Sequence, residues 1–313
     1  MEYNKDTSIE IKDIKDFITV MYVFIDDLYK QIVPEKIKHR RNKDKAILSD
    51  SEIISIAVVG ETMGIDSENA WYTYVKKNMR DLFPFLCERS RFNRLRRSLT
   101  GVIEQIRVTL GSLLPFTKDR YRIVDSHPLP VCKFARAKYC TSFKGYEADY
   151  GYCASKKEYY FGYKVHALCT KEGYITDILV SPASIDDRHG VWEISERYKS
   201  PLAVIADKGY SGERFIEELQ NERGITLIPL KKKNDRKPYS KGFRQLLYKL
   251  RRRIETSFSQ VAFQFNGQRV MAKSLWGLKS RLLSKLLAFN LCFAINLCLH
   301  YEYNCASVKH LIF

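Results

Sequence analysis

Two short apolar runs in this chain each close on an aspartate. Tyr121-Arg122-Ile123-Val124 leads into Asp125, and Leu202-Ala203-Val204-Ile205-Ala206 leads into Asp207, which Lys208-Gly209-Tyr210 follows. Runs this short, rich in Ile and Val, read as buried strands. The chain must therefore build a sheet that presents carboxylates where two strands end. A third acid, Glu255, lies in a strongly helical, Arg-rich stretch. Two carboxylates at strand ends and one on a helix converge only if the fold brings them together. If they do, they suit a hard divalent cation such as Mg²⁺, which takes oxygen ligands. Taken singly, each residue has a plainer reading. An Asp after an apolar run commonly serves a turn or a helix cap, and a Glu on a basic helix commonly makes exposed i,i+4 pairs.

Around Glu255 the chain reads Tyr248-Lys249-Leu250-Arg251-Arg252-Arg253-Ile254-Glu255, the pattern Y-x-x-R-x-x-x-E. At about 3.6 residues per turn, offsets of three and seven return to one face. Tyr248, Arg251 and Glu255 are thus predicted to form one stripe. Phe243, Leu247, Leu250, Ile254 and Phe258 form an adjacent apolar stripe that can dock on a sheet. This arrangement resembles the signature of DDE transposases of bacterial insertion sequences. Ala206-Asp207-Lys208-Gly209-Tyr210 is similar to their second-Asp motif, and Val124-Asp125-Ser126 to the first. The blocks Gly162-Tyr163-Lys164-Val165-His166 and Ser181-Pro182-Ala183-Ser184-Ile185-Asp186-Asp187 are also similar to that family. The compact layout most resembles the group named for insertion sequence 982. The resemblance spans nearly the whole chain and is firmest from about residue 120 to 265.

The resemblance implies an α/β fold: a ribonuclease H-like mixed sheet flanked by helices, preceded by an all-helical DNA-binding module. In that fold the first and fourth strands are neighbours, so Asp125 and Asp207 would lie side by side with the Glu255 helix packed across them. The three acids would be both catalytic residues and ligands of two Mg²⁺ or Mn²⁺ ions. One ion would activate the water that attacks the phosphodiester at a transposon end, and the other would stabilise the departing 3′ oxygen. The freed 3′-OH would then join target DNA. No covalent protein–DNA intermediate is needed, so Tyr248 reads as a DNA or packing contact. Arg251 would hold a carboxylate or a phosphate, and Lys208 and Arg252 would touch DNA. The implied partners are double-stranded DNA, as transposon ends and target, and a second copy of the chain in a synaptic homodimer. Two features depart from the relatives. The position seven residues after the Glu, often Lys, is Ala262, with Gln260 and Gln264 beside it. The interval between Asp207 and Glu255 leaves no room for the large β-rich insertion that some relatives carry.

Charge agrees with a polyanionic partner. The chain has 53 Lys+Arg against 36 Asp+Glu, a formal charge of +17, which favours nucleic acid through counterion release and steering. Ribosomal, RNA-binding and membrane-surface proteins share such a charge, so alone it selects no function. The eight cysteines contain no C-x-x-C pair, which speaks against a zinc ribbon. Cys140 and Cys153, with His127 or His166, are the remaining candidates for a softer metal site. All eight are expected as reduced thiols, in a bacterial cytoplasm and at the nucleoid when DNA is bound. The apolar stretch 286–299 contains Asn290 and Asn296 and is shorter than the about 20 residues of a membrane span. It is expected to be a buried core helix, and no membrane partner is expected.

Three domains are predicted: a helical DNA-binding module over 1–117, a ribonuclease H-like catalytic domain over 118–265, and a helical extension over 266–313 packed on the catalytic domain. In the first, Ile14, Phe17, Ile18, Met21, Ile25 and Leu28 recur at helical spacing up to Pro34. A basic linker follows, with Lys36, Lys38, His39, Arg40, Arg41, Lys43 and Lys45. Ser49-Asp50-Ser51-Glu52 is a capping box opening a helix over 52–59. Another helix spans 69–79, and a further one opens near Ser90, with Arg91, Arg94 and Arg97 on one face as DNA contacts or as a solvated basic face. From about residue 118 the order is β-β-β-α-β-α-β-α. Residues 133–159 interleave basic residues with Phe134, Tyr139, Phe143, Tyr146, Tyr150, Tyr152 and Tyr159. That mixture suits a frayed or flipped DNA end and equally suits a hairpin with buried tyrosines. Residues 231–253 hold eleven basic residues and one acid, Asp235, and suit a DNA-tracking surface.

The expected activity is thus a DNA transposase that binds the terminal inverted repeats of its insertion sequence and catalyses metal-dependent cleavage and strand transfer. Two rivals remain: another ribonuclease H-like nuclease, and a catalytically silent DNA-binding protein descended from a transposase.

Overall fold

The computed structural model describes residues 11–41, 45–65, 67–143, 145–198, 201–232, 235, 237–268, 270–298 and 305–311. Lys43 and Leu299, named above, lie outside the described residues. The chain divides into a helical unit, residues 1–113 with 261–313, and a sheet unit, residues 114–260.

The helical unit starts with α1 (Ile14–Ile32), capped by the Asp13 carboxylate, which accepts from the amides of Lys15 and Asp16. Phe17, Ile18, Met21, Ile25 and Leu28 are buried, as their spacing predicts. Val33 is extended because Pro34 follows it, and the helix stops there. The short α2 (Glu35–Lys38) leads to Arg40, which the sequence places in a basic linker. Arg40 instead makes a bidentate pair with buried Asp50, at 2.5 and 2.7 Å, and the Tyr29 hydroxyl donates to the same carboxylate. The Ser49–Glu52 capping box forms and opens α3 (Asp50–Thr62). This helix is buried on every side, so its sequence carries almost no amphipathic signal. Then come α4 (Glu68–Asn78), α5 (Arg89–Ser98) and α6 (Thr100–Leu113).

The C-terminal helix joins this unit. Numbered after the three helices of the sheet unit, α10 (Leu275–Cys298) packs on α3, α5 and α6. The structure therefore differs from the expected extension on the catalytic domain: residues 261–313 cluster with the N-terminal helices. α10 is long and apolar enough to cross a membrane by length and composition, but it is buried inside the protein. The physical reason for its placement is a buried ion cluster. Arg281 forks onto Glu61 of α3 with both contacts at 3.1 Å, and Lys285 pairs with the same carboxylate and donates to the Phe265 carbonyl at 2.6 Å. Arg96 of α5 completes the cluster through Glu68 at 2.9 Å and Glu61 at 3.9 Å.

In the sheet unit the strands are β1 (Tyr121–Pro130), β2 (Asp149–Cys153), β3 (Glu158–Cys169), β4 (Ile175–Pro182), β5 (Leu202–Ala206) and β6 (Ile225–Pro229). Their order is β2-β3-β1-β5-β6, with β4 also paired to β3. β1 runs antiparallel to β3 and parallel to β5, and β5 runs parallel to β6. The sheet is therefore mixed. The helices are α7 (Asp187–Ser195), capped by Asp186, α8 (Glu213–Arg223) and α9 (Lys241–Gln264), whose last four residues fall in the helical unit. The expected strands and helices are present, and β2 is an additional strand that forms a hairpin with β3.

Alternation along β1 and β5 assigns the two faces. Val124, Val204 and Ala206 enter a core with Val191 and Ile194 of α7 and Leu219 of α8. On the opposite face, His127 stacks on Phe258 of α9 with ring centroids 5.3 Å apart. The Ser257 hydroxyl anchors α9 by donating to the Gly173 carbonyl at 2.6 Å.

Replacing Glu61 with Gln keeps the shape of the buried cluster but leaves Arg281 and Lys285 without their counter-charge. The expected loss is about 3–5 kcal/mol, seen as a lowered thermal transition and faster amide exchange in α3 and α10. A loss below about 1 kcal/mol would show that the cluster does not hold the helices together.

Candidate active site

Parallel pairing aligns the two aspartates. The last β1–β5 pair is Ile123 with Ile205, so Asp125 and Asp207 each lie two residues further along neighbouring strands. Equal parity turns both side chains to the face that α9 covers. Asp125 continues along β1, where its Oδ1 accepts from the Ser126 amide at 2.9 Å. At Asp207 the strand ends, and the backbone stays extended before a 3-10 turn over Lys208–Tyr210.

Arg251 joins the acids. Its Nη2 is 3.1 Å from Asp125 Oδ2 and 3.7 Å from Asp207 Oδ2, and its Nη1 is 3.0 Å from Glu255 Oε1. One guanidinium thus touches carboxylates from two strands and its own helix. The Arg251 and Asp125 side chains are each under a fifth exposed, whereas Asp207 and Glu255 are nearly half exposed. Three carboxylates against one cation leave the site short of positive charge. Burial pushes the Asp125 carboxyl up to about 6, Arg251 draws it down, and Asp207 adds to the rise. His127 does not relieve the deficit: burial lowers its imidazole to about 4, so it is neutral near pH 7.

The donors fit a hard divalent cation in chemistry. They are carboxylate oxygens, they already share one cation, and they carry unneutralised negative charge. Among the described residues, however, no three His, Cys, Asp or Glu side chains stand close enough to hold a metal ion as they are. The guanidinium lies between the acids. The softer site considered for Cys140 and Cys153 with His127 or His166 does not assemble among the described residues either, and His166 is buried against the Ser181 hydroxyl at 2.8 Å.

Of the stripe expected on α9, Arg251 meets both aspartates, and Glu255, one turn on, meets Arg251. Tyr248 instead lines an open groove of about 730 Å³ along the helix, with Gln245, Lys249, Arg252, Arg253 and Thr256. Lys208 is exposed beside Asp207. The Arg stripe on α5 is only partly free. Arg91 and Arg94 are exposed, but the Arg97 guanidinium lies 5.5 Å from the Trp276 ring centroid, and neighbouring Arg96 is buried in the ion cluster. Arg97 is therefore corrected from a surface contact to a half-buried cation–π partner.

The two further sequence blocks noted above are packed together. Lys164 Nζ donates to the Ile185 carbonyl at 2.8 Å and pairs with Asp187 at 3.1 Å, and His166 meets Ser181. Gly190 lets α7 approach this point, because a Cβ there would sit 2.3 Å from the His166 ring. These residues brace β3, β4 and α7 beneath the acids rather than joining them.

A family profile described as "Transposase DDE domain" matches residues 117–291. Among solved structures, one titled as the synaptic complex of piggyBac transposase with hairpin DNA is similar at 12% identity, covering 98% of this chain and 80% of that one, with a TM-score of 0.47. A search of curated proteins found no match.

The Asp125 shift has a sign that can be tested in metal-free buffer. The folded value, about 6, lies above the unfolded value of about 3.9, so ionised Asp125 destabilises the fold above pH 6 and ceases to do so as pH falls towards 4. Asp125→Asn is therefore expected to raise stability at pH 7 by on the order of 2 kcal/mol, with the gain vanishing below about pH 4. Thermal melts across that range check this, and a gain independent of pH would contradict it.

Proposed function

The chain belongs to the transposase DDE domain family, and on that premise we propose that Asp125, Asp207 and Glu255 are the catalytic carboxylates of a DNA transposase. The sheet unit is then a ribonuclease H-like domain. The observation that carries this reading is the meeting of Asp125 within β1, Asp207 just past β5 and Glu255 of α9 around Arg251. The proposed reaction is cleavage of phosphodiesters at terminal inverted repeats, followed by attack of the freed 3′-OH on target DNA.

The three acids would hold Mg²⁺ or Mn²⁺, two ions in the working complex. A bound divalent ion supplies Lewis-acid stabilisation to the attacking and leaving oxygens. Arg251 occupies the acids in this structure and would have to yield some of these contacts, leaving its guanidinium to pair with Glu255 or a DNA phosphate. Lys208 and the groove residues Tyr248 and Arg252 would position the backbone, by phosphate contact rather than base reading. Arg91 and Arg94, in the helical unit, are the better-placed candidates for end recognition. The partners would be double-stranded transposon ends and target DNA held by a homodimer, in a bacterial cytoplasm.

One observation favours the silent, transposase-derived alternative: the guanidinium fills the space between the acids. Cleavage of labelled duplexes carrying candidate inverted repeats, taken from DNA flanking the gene, separates the readings. Asp125→Asn, Asp207→Asn and Glu255→Gln should each lower Mg²⁺- or Mn²⁺-dependent cleavage by roughly a hundredfold or more. Duplex binding should stay within a few fold, because it rests on the basic surface. A folded variant that still cleaves at the wild-type rate removes that residue from the site. Cleavage that survives EDTA removes the metal, and a trapped phosphotyrosine at Tyr248 removes the mechanism.

A further inference from the structure

The β2–β3 hairpin has an unusual solvent face. Along β2, Gly151 turns inward while Tyr150 and Tyr152 turn out; along β3, Tyr160 is buried while Tyr159 turns out. Tyr152 is the register partner of Tyr159, with ring centroids 4.9 Å apart, and Tyr150 is the partner of Phe161, at 5.1 Å. Phe134, from the 3-10 turn Phe134–Tyr139, closes the row at 6.0 Å from Tyr150 and 6.2 Å from Tyr159. Phe134, Tyr150, Tyr152 and Tyr159 are 48%, 46%, 50% and 65% exposed. A hairpin face turned to water ordinarily carries polar residues, so a contiguous exposed row of rings marks a binding surface.

The charge around the rings selects the occupant. Lys133, Arg136, Lys138, Lys156 and Lys157 are all exposed around this hairpin, against Glu147, Asp149 and Glu158 on the acidic side. Beside the rings lies an open groove of about 460 Å³, lined by Pro130, Cys132, Phe134, Glu158, Tyr159 and Tyr160. Flat rings surrounded by flexible cations match a ligand with flat apolar faces on an anionic backbone. We propose that this face binds unpaired DNA, with bases stacked on Tyr152, Tyr159 and Phe134 and phosphates held by Lys156, Lys157 and Lys133. β1 runs from Asp125 to Pro130 at the groove, about 16 Å at the usual rise per residue. A few frayed nucleotides would span that distance from the reacting phosphate.

The inference rests on the reading that the chain acts on DNA, but its test does not require cleavage. The full chain is titrated with a fluorescent single-stranded oligothymidine and with a duplex of equal length, at several salt concentrations. The double variant Tyr152→Ala/Tyr159→Ala is expected to lose about 10- to 100-fold in single-strand affinity with an unchanged salt slope, while duplex affinity stays within about twofold. Tyr152→Phe/Tyr159→Phe should retain binding, because stacking needs the ring and not the hydroxyl. Lys156→Ala/Lys157→Ala should flatten the salt slope. Photocrosslinking to iodouracil should label the aromatic row.

Equal loss on single strand and duplex, no loss in a folded Ala variant, or crosslinks elsewhere would overturn the proposal. So would self-association abolished by the Ala variant without change in DNA binding, since the row would then be a protein interface. If the single-strand preference holds but no terminal DNA is cleaved, only the transposase reading fails. If cleavage occurs without that preference, only the stacking surface fails.

Discussion

The parallel pairing of β1 with β5 is the constraint on which the candidate site depends. It sets Asp125 and Asp207 level on adjacent strands and gives their side chains the same facing. A slip of one residue would turn one carboxylate into the core of Val191, Ile194 and Leu219. α9 supplies the rest. Ile254 and Leu247 are buried, and with that face fixed, Arg251 is directed at the aspartates and Glu255 pairs with it one turn on.

The molecule holds two charge clusters of opposite balance. In the helical unit one buried acid, Glu61, faces Arg281, Lys285 and Arg96. In the sheet unit one arginine faces three acids, two of them well exposed. The first is closed and fixes how helices pair. In the second, burial raises Asp125 and Asp207 adds to the rise, while Asp207 and Glu255 stay open to solvent, which suits a site that takes up a cation.

The strands, the Ser49–Glu52 capping box and the buried C-terminal helix were legible because each rests on local pattern: β-branched runs, a Ser with a Glu three residues on, an apolar stretch of helical length. No local rule pairs Asp125, Asp207 and Glu255, and the sequence pointed to them as a set only through the resemblance; in the structure each contacts Arg251. What escaped reading was tertiary. Arg40 and Arg96 look like surface charge in the sequence and are tied to Asp50 and to Glu61 and Glu68. Arg97 has the spacing of a free stripe, yet Trp276 covers it. The segment 133–159 left its tyrosines undecided between core and surface. The structure exposes all five, Tyr139, Tyr146, Tyr150, Tyr152 and Tyr159, and buries Phe143 instead.

The Glu61 cluster also bears on how the protein is made. Glu61 and Arg281 are 220 positions apart. At about 5–20 residues per second, a ribosome leaves α3 waiting on the order of ten seconds or longer for its cationic partners. Throughout that interval a helix buried on every side in the finished protein has no complete shelter. The N-terminal helices must therefore remain provisional, or be shielded by chaperones, while the entire sheet unit is synthesised and has time to fold first.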